Sequence, residues 1–280
     1  MVTSVALLGA GGKVGQRIVD QIEGDPTYHL RCVEPAQEGR EALASRGIES
    51  LPRGAALDGA DVVILAVPDD VIGDVSKDVV PAVDAGTVLL LLDPAAAYAG
   101  VVPERADIGV VITHPCHPPL FDPERPPAYA DDWFGGTGRA AQDIVCALHA
   151  GSDAAYQLGE GVARDIFAPV RDVYRLTTEQ MALLEPTLAE TLSQTLLETI
   201  HEGMAEVEAL GVPAEAAEAF LLGHLRIQMA VIFGRTDFPF SDAAQQMSTA
   251  ARDDLLEEDW KDVLTREYTR ESVRQIADPD

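Results

Sequence analysis

An α/β fold, with a doubly wound parallel sheet followed by an all-α C-terminal domain, is the class that this 280-residue sequence predicts. Three observations predict it. Short β-branched and leucine-rich runs alternate with stretches of helical spacing, a glycine-rich turn joins the first run to the first helix, and from Thr177 onward only helical periodicity remains. Continuous apolar runs bounded by Gly, Pro or Asp are the mark of strands buried on both faces of a parallel sheet, with helices as the crossovers.

The runs at residues 5–8, 30–33, 62–67, 88–92 and 110–112 give five strands, with helices over 14–22, 39–46 and 71–80 between them. Residues 113–138 then form a Pro-rich and Gly-rich stretch too long for a connector, which makes it a functional-loop candidate. Further strands at 144–148 and 170–176 flank a helix over 154–167 capped by Ser152, so residues 1–176 form the first domain.

Residues 177–280 form the helical domain. Thr177 to Gln180 reads T-T-E-Q, a capping box, and apolar residues recur behind it at Met181, Leu184, Leu188, Leu192, Leu196, Ile200, Met204 and Val207. Pro186 decides whether this is one long helix or a kinked pair. Gly211 ends the segment, Pro213 starts the next helix, and residues 220–233 are apolar nearly all round up to Gly234. Such a stretch, with a buried His224 inside it, needs covering by other helices of the chain or by a second subunit, and a homodimer through the helical domain is the economical answer.

The balance of 20 Lys+Arg against 47 Asp+Glu gives a net charge of −27, which excludes general binding to nucleic acid or anionic membranes. The lysines are only Lys13, Lys77 and Lys261, and a carboxylate-rich, lysine-poor surface is what a halophilic protein shows, because concentrated salt screens self-repulsion. No apolar run approaches the ~20 residues of a membrane span. The first residues read as a strand and not as a secretion signal, and the three scattered cysteines form neither a disulfide framework nor a four-cysteine zinc site. A cytoplasmic enzyme is the expectation.

Gly9-Ala-Gly11-Gly12-Lys13-Val14-Gly15 lies between strand and helix. The strict G-x-G-x-x-G pattern fails, and the glycines fit either G-x-G-x-x-x-G or G-x-x-G-x-x-G. Both let backbone N–H groups meet a pyrophosphate at a helix N-terminus, as in Rossmann-type domains. Glu34 ends the second strand 34 − 15 = 19 residues beyond Gly15, where a carboxylate takes ribose hydroxyls and repels a 2′-phosphate, so NAD is expected over NADP, with Arg31 and Arg40 nearby as counter-evidence. Val67 and Asp69 lie just outside the carboxyl end of the third strand, where ligands of open α/β sheets sit. Asp93 ends the fourth strand in the same way, placed to orient a ribose or nicotinamide, although a helix cap is its ordinary role.

His114 leaves the fifth strand at that same edge. Pro115, Pro118 and Pro119 hold it with Cys116 and His117 on a stiff loop. One imidazole from this loop and a carboxylate from the helices, Glu185 or Glu190, would hold a catalytic metal with open positions. His117 suits a general base, because imidazole titrates near neutral pH.

GAGGKVG, Glu34, AVPDDVI, HPCHPP, LEPTLAET and LLGH together resemble the D-apionate oxidoisomerase family, whose members are often labelled from their phosphogluconate dehydrogenase-like C-terminal part. The resemblance runs from residue 5 to about 235 and extends more distantly to 6-phosphogluconate and β-hydroxyacid dehydrogenases and ketol-acid reductoisomerases. It implies NAD-dependent oxidation of a branched polyhydroxy acid coupled to a carbon migration, with a divalent metal, zinc in the first place. Carried over, Gly9, Gly11, Gly12, Lys13 and Val14 with Glu34 hold NAD, and His114 and Glu190 are the metal ligands, with His117 or Glu185 as the alternative partner. The lysine and asparagine of the β-hydroxyacid dehydrogenase active helix are absent between Thr177 and Gly211. Two other readings are a plain hydroxyacid dehydrogenase and a non-catalytic NADH-sensing dimeric regulator.

Overall fold

The computed structural model describes residues 2–121 and 131–277. Seven strands form one sheet in the order β2-β1-β3-β4-β5-β6-β7: β1 (Thr3–Leu8), β2 (Tyr28–Val33), β3 (Val62–Leu65), β4 (Val88–Leu91), β5 (Gly109–Pro115), β6 (Gln142–Ala150) and β7 (Val170–Leu176). The first five are parallel, reversing direction of growth at β1 and β3, which creates the crevice at their carboxyl ends. The sheet is not wholly parallel, because β6 runs antiparallel to β5. The described parts of the β5–β6 connection contain no helix, and an antiparallel neighbour needs no crossover. The α6 helix (Asp153–Ile166), capped by Ser152, then returns the chain to β7, parallel to β6.

Alternation along the strands supplies two cores. Val5 and Leu7 face α1 (Lys13–Ile22), α2 (Gln37–Ser45) and α6, whereas Ala6 and Leu8 face α3 (Arg53–Leu57), α4 (Asp69–Val79) and α5 (Ala95–Ala99). This two-sided burial is why the strands read as unbroken apolar runs.

The chain divides into two compact units, Met1–Pro186 with Thr269–Asp280, and Thr187–Tyr268. The boundary therefore lies beyond Leu176, and the last helix, α11 (Arg266–Ala277), returns to the first unit. A helix start marks a change of secondary structure and not of packing partner. The capping box of Thr177 and Gln180 does open α7 (Thr178–Ala182), but Met181 and Ala277 are buried in the same core as Leu91. Behind α7 the segment Leu183–Gln194 is a π-helix with Pro186 inside it, so the proline widens the helix instead of ending it. Proline lacks the N–H for an i→i−4 bond, and the wider turn relieves its clash with the preceding carbonyl.

The second unit contains α8 (Thr195–Ala209), α9 (Ala214–Ile232) and α10 (Asp242–Leu255). On α8 and α9, Leu196, Leu197, Phe220, Leu222, Ile227 and Ile232 are exposed. His224 is exposed as well, against the expectation of a core histidine. Its ring stacks on Phe220, and Nδ1–H donates to that residue's carbonyl at 2.8 Å. Among the described residues, no helix is long and apolar enough to cross a membrane.

The turn after β1 settles which glycines matter. Gly9 has φ +82°, and a Cβ there would lie 2.2 Å from the Ala66 carbonyl oxygen. A Cβ on Gly15 would lie 2.1 Å from the Gly9 carbonyl oxygen, and one on Gly11 would strike the Gly39 backbone, whereas Gly12 meets nothing nearer than 3.3 Å. The working pattern is thus G-x-G-x-x-x-G. Gly15→Ala is expected to cost about 1–3 kcal/mol or more of stability by overpacking. Gly12→Ala, at a helix N-cap, should stay within about 1 kcal/mol. Urea unfolding of the two variants checks this, and equal losses would contradict the assignment.

Candidate active site

The glycine turn and Glu34 form one cradle. Glu34 is 8 % exposed, and its carboxylate accepts the Gly11 N–H at Oε2 and the Ala36 N–H at Oε1, both at 2.9 Å. A Cβ on Gly39 would meet that carboxyl at 2.7 Å, so α2 lacks a side chain where the acid sits. A carboxylate has about four acceptor sites, so two bonds leave capacity for ribose hydroxyls. Arg31 donates to Ser4 Oγ at 2.7 Å and to the Asp58 carbonyl, and Arg40 donates to the Pro35 carbonyl. Both guanidinium groups are thus engaged by protein oxygens, Arg40 beside Glu34 itself.

The α1 N-terminus is built for an anion. Gly12 at the N-cap makes no side-chain bond to the helix, the first turn carries no acid, and Lys13 is its first residue. Val14 follows, 45 % exposed. Val67 closes in beside Gly9, and Asp69 opens α4, exposed in its first turn.

His114 stands at the end of β5. The register that pairs Leu91 with Ile112 carries Leu92 and Asp93 alongside Thr113 and His114. The His114 Nδ1–H donates to the Leu92 carbonyl at 2.9 Å. A carbonyl only accepts, so the proton is on Nδ1. Burial holds the imidazole below its ordinary pKa, outweighing the Leu92 bond and the Asp93 charge, so the ring is neutral and Nε2 keeps its lone pair.

Asp93, His114 and Glu185 each offer a ligand atom, all within 4.8 Å of one another, and all three residues are half-buried. The Ala95 N–H donates to Asp93 Oδ1 at 2.6 Å and orients that carboxylate. Two carboxylates and a neutral imidazole steadied by a backbone carbonyl fit a divalent cation with open positions for a substrate. With no thiolate, nothing in the donor set selects zinc over an oxygen-preferring cation.

His114 also lines a cavity of about 220 Å³, together with Val14, Arg17, Leu92, His117 and Phe134 among others. His117 has φ +62°, a left-handed conformation that favours glycine, and its Nδ1–H donates to the Phe134 carbonyl at 2.9 Å. Its ring meets that of His114 edge-on, with centroids 6.1 Å apart.

Comparison with known proteins shows the family of the chain. The chain is 44 % identical to the D-apionate oxidoisomerase of Cupriavidus necator over 99 % of its own length and 100 % of that protein, and 42 % identical to the one of Rhizobium rhizogenes over 98 % and 100 %. It belongs to the D-apionate oxidoisomerase family. A model of the phosphogluconate dehydrogenase (decarboxylating) C-terminal family matches residues 122–277. The crystal structure of a semialdehyde dehydrogenase NAD-binding protein from Cupriavidus necator, in complex with calcium and NAD, superposes with a TM-score of 0.94 at 44 % identity, covering 99 % of this chain and all of that one.

For this family member, sequence reasoning placed Gly9, Gly11, Glu34 and His114 at one sheet edge, where the structure has them. For Asp93 it favoured a helix cap over a role toward a ribose or nicotinamide and offered no ligand role, and the strand register places that residue beside His114. Of the two open carboxylates, Glu185 is grouped with His114 in the first unit, and Glu190 falls in the second. Part of the loop at 113–138, residues 122–130, lies outside the described residues.

Titration with Mn²⁺ by calorimetry tests the ligand set. Asp93→Asn and Glu185→Gln are each expected to weaken binding about 100-fold, the upper end of the losses found when a group that only orients a metal ligand is removed. Glu190→Gln is expected to leave it nearly unchanged. Loss in Glu190→Gln with none in Glu185→Gln would overturn the assignment.

Proposed function

We propose that this protein is an NAD-dependent oxidoreductase that oxidises a CH–OH group of a branched polyhydroxy acid of the D-apionate type and couples the oxidation to a carbon migration, with a divalent cation. The observation that carries the reading is the meeting at one sheet edge of the Glu34 cradle with the Asp93, His114 and Glu185 cluster. The relatives' name, D-apionate oxidoisomerase, supports the substrate class.

Bound NAD would supply a hydride acceptor, and a cation held by Asp93, His114 and Glu185 would supply Lewis acidity to a substrate hydroxyl and to the carbonyl made from it. The chain's own groups do the rest. The Gly9–Gly15 turn and the α1 N-terminus bind the pyrophosphate, and Glu34 takes the ribose and repels a 2′-phosphate. The Leu92 carbonyl holds His114 in one tautomer, and Asp93 is aimed by Ala95 N–H. His117, with its proton on Nδ1, has Nε2 free to take the proton of the tertiary hydroxyl next to the new 2-oxo group. Loss of that proton lets a carbon substituent move to the carbonyl carbon with its bonding pair: the tertiary carbon becomes the new ketone, the electron pair of the old C=O bond goes to its oxygen, and that oxygen takes the proton back from His117 as the new tertiary hydroxyl.

Incubation with NAD⁺ and a branched aldonic acid is expected to form NADH together with a product whose carbon skeleton, read by ¹³C NMR, has rearranged. Chelator should abolish turnover. NADP⁺ should be poorer by on the order of 100-fold, because a like charge facing Glu34 costs several kcal/mol. NADH with an unchanged skeleton would leave a plain dehydrogenase, and NADH binding without turnover would leave a regulator.

The second unit serves a homodimer, in this reading, because the exposed apolar side chains of α8 and α9 need cover. The net charge of −27 with so few lysines suits a salt-rich cytoplasm. Sedimentation and thermal unfolding in low salt and in multimolar KCl check both. A dimer and a rising midpoint with salt are expected, and a salt-indifferent monomer would contradict them.

A further inference from the structure

Residues 131–140 fold into a closed strap that the chemistry proposed above does not use directly. Asp132, 2 % exposed, closes it by accepting Thr137 Oγ1–H at 2.6 Å and the Ala140 N–H at 3.0 Å. Gly135, Gly136 and Gly138 all have left-handed φ, and a Cβ on Gly135 would lie 2.7 Å from the buried amide of Gln142. The strap is fastened to α1 at two points. Arg17 Nη2 donates to the Gly135 carbonyl at 2.8 Å with its guanidinium 5.1 Å from the Phe134 ring centroid, and Gln21 Nε2 donates to the Gly136 carbonyl at 3.0 Å.

The far end of this arrangement is His117. The Phe134 carbonyl accepts its Nδ1–H, and the Phe134 ring meets the imidazole edge-on at 5.8 Å. A left-handed histidine directly before Pro118 is an uncommon conformation, and the Phe134 carbonyl is the group that holds its ring. That group is placed by Arg17.

We propose that Arg17 is a positioning residue: through the Phe134–Gly136 backbone it locks His117 with the proton on Nδ1 and Nε2 turned to the reaction. The claim rests on His117 as the base of the proposed reaction. Arg17 touches neither substrate nor cofactor in this role. Its flat, forked guanidinium stacks on Phe134 while bonding Gly135, which a lysine ammonium cannot reproduce.

The test uses the full chain with the six histidines labelled with ¹⁵N and His117 assigned through His117→Gln. Wild type should show His117 as a single Nδ1–H tautomer. Arg17→Met should give averaged ring signals, and Gln21→Ala a smaller change in the same direction, which keeps the test open if Arg17→Met folds poorly. In kinetics, His117→Ala should lower kcat about 100-fold or more. Arg17→Met should lower it about tenfold with the KM for NAD⁺ unchanged. The double variant should be no worse than His117→Ala.

An unaltered His117 tautomer in Arg17→Met, or a kcat loss that persists undiminished in the His117→Ala background, overturns the proposal. Full turnover by His117→Ala would instead refute the base assignment under the proposed function, and the tautomer signal would still decide what Arg17 does to His117.

Discussion

The pairing of β4 with β5 is the constraint from which the site follows. Parallel register sets Leu91 opposite Ile112, and two residues further on the strands part with Asp93 and His114 side by side. The Leu92 carbonyl, released from the ladder at that point, takes the His114 Nδ1–H. One backbone group thereby fixes a rotamer and a tautomer together, and the strand ends deliver two of three ligand atoms without help from a flexible loop. Glu185 completes the set from the first turn of the π-helix Leu183–Gln194, directly behind α7, which the Thr177 capping box and the burial of Met181 hold in place.

The cofactor cradle obeys the same economy. Glu34 is held by Gly11 N–H and Ala36 N–H before any ligand arrives, so a carboxylate that would otherwise be drawn into solvent is fixed at the rim of the crevice. Its room exists because Gly11 and Gly39 carry no side chain. The glycines thus serve the acid as much as the pyrophosphate, which is why the strict fingerprint can fail by one residue while its function is kept.

Much of this was legible in the sequence, and the exceptions have physical causes. Strands buried on both faces have an unmistakable composition, and Gly9, Glu34 and His114 are identified by their distance from strand ends. Asp93 is harder, because an aspartate that only accepts Ala95 N–H and one that also offers a ligand atom beside an imidazole look alike in sequence, and here the oxygens lie within reach of His114 and Glu185 as well. Glu185 and Glu190 differ only by helical phase, and the π-helix Leu183–Gln194 breaks the 3.6-residue count that would have separated them. The direction of β6 depends on a connection without a helix in its described parts, which composition does not reveal. His224 was misjudged because an apolar helix face signals cover without saying whether the cover lies in the same chain.

The proposed chemistry requires a cation held by the strand-end pair and Glu185. Anomalous diffraction from crystals grown with Mn²⁺ and NAD tests it most directly. The account predicts one peak within roughly 2.0–2.6 Å of Asp93, His114 Nε2 and Glu185 together. A peak coordinated by Glu190 in place of Glu185, or a bound NAD with no peak at His114, would contradict it.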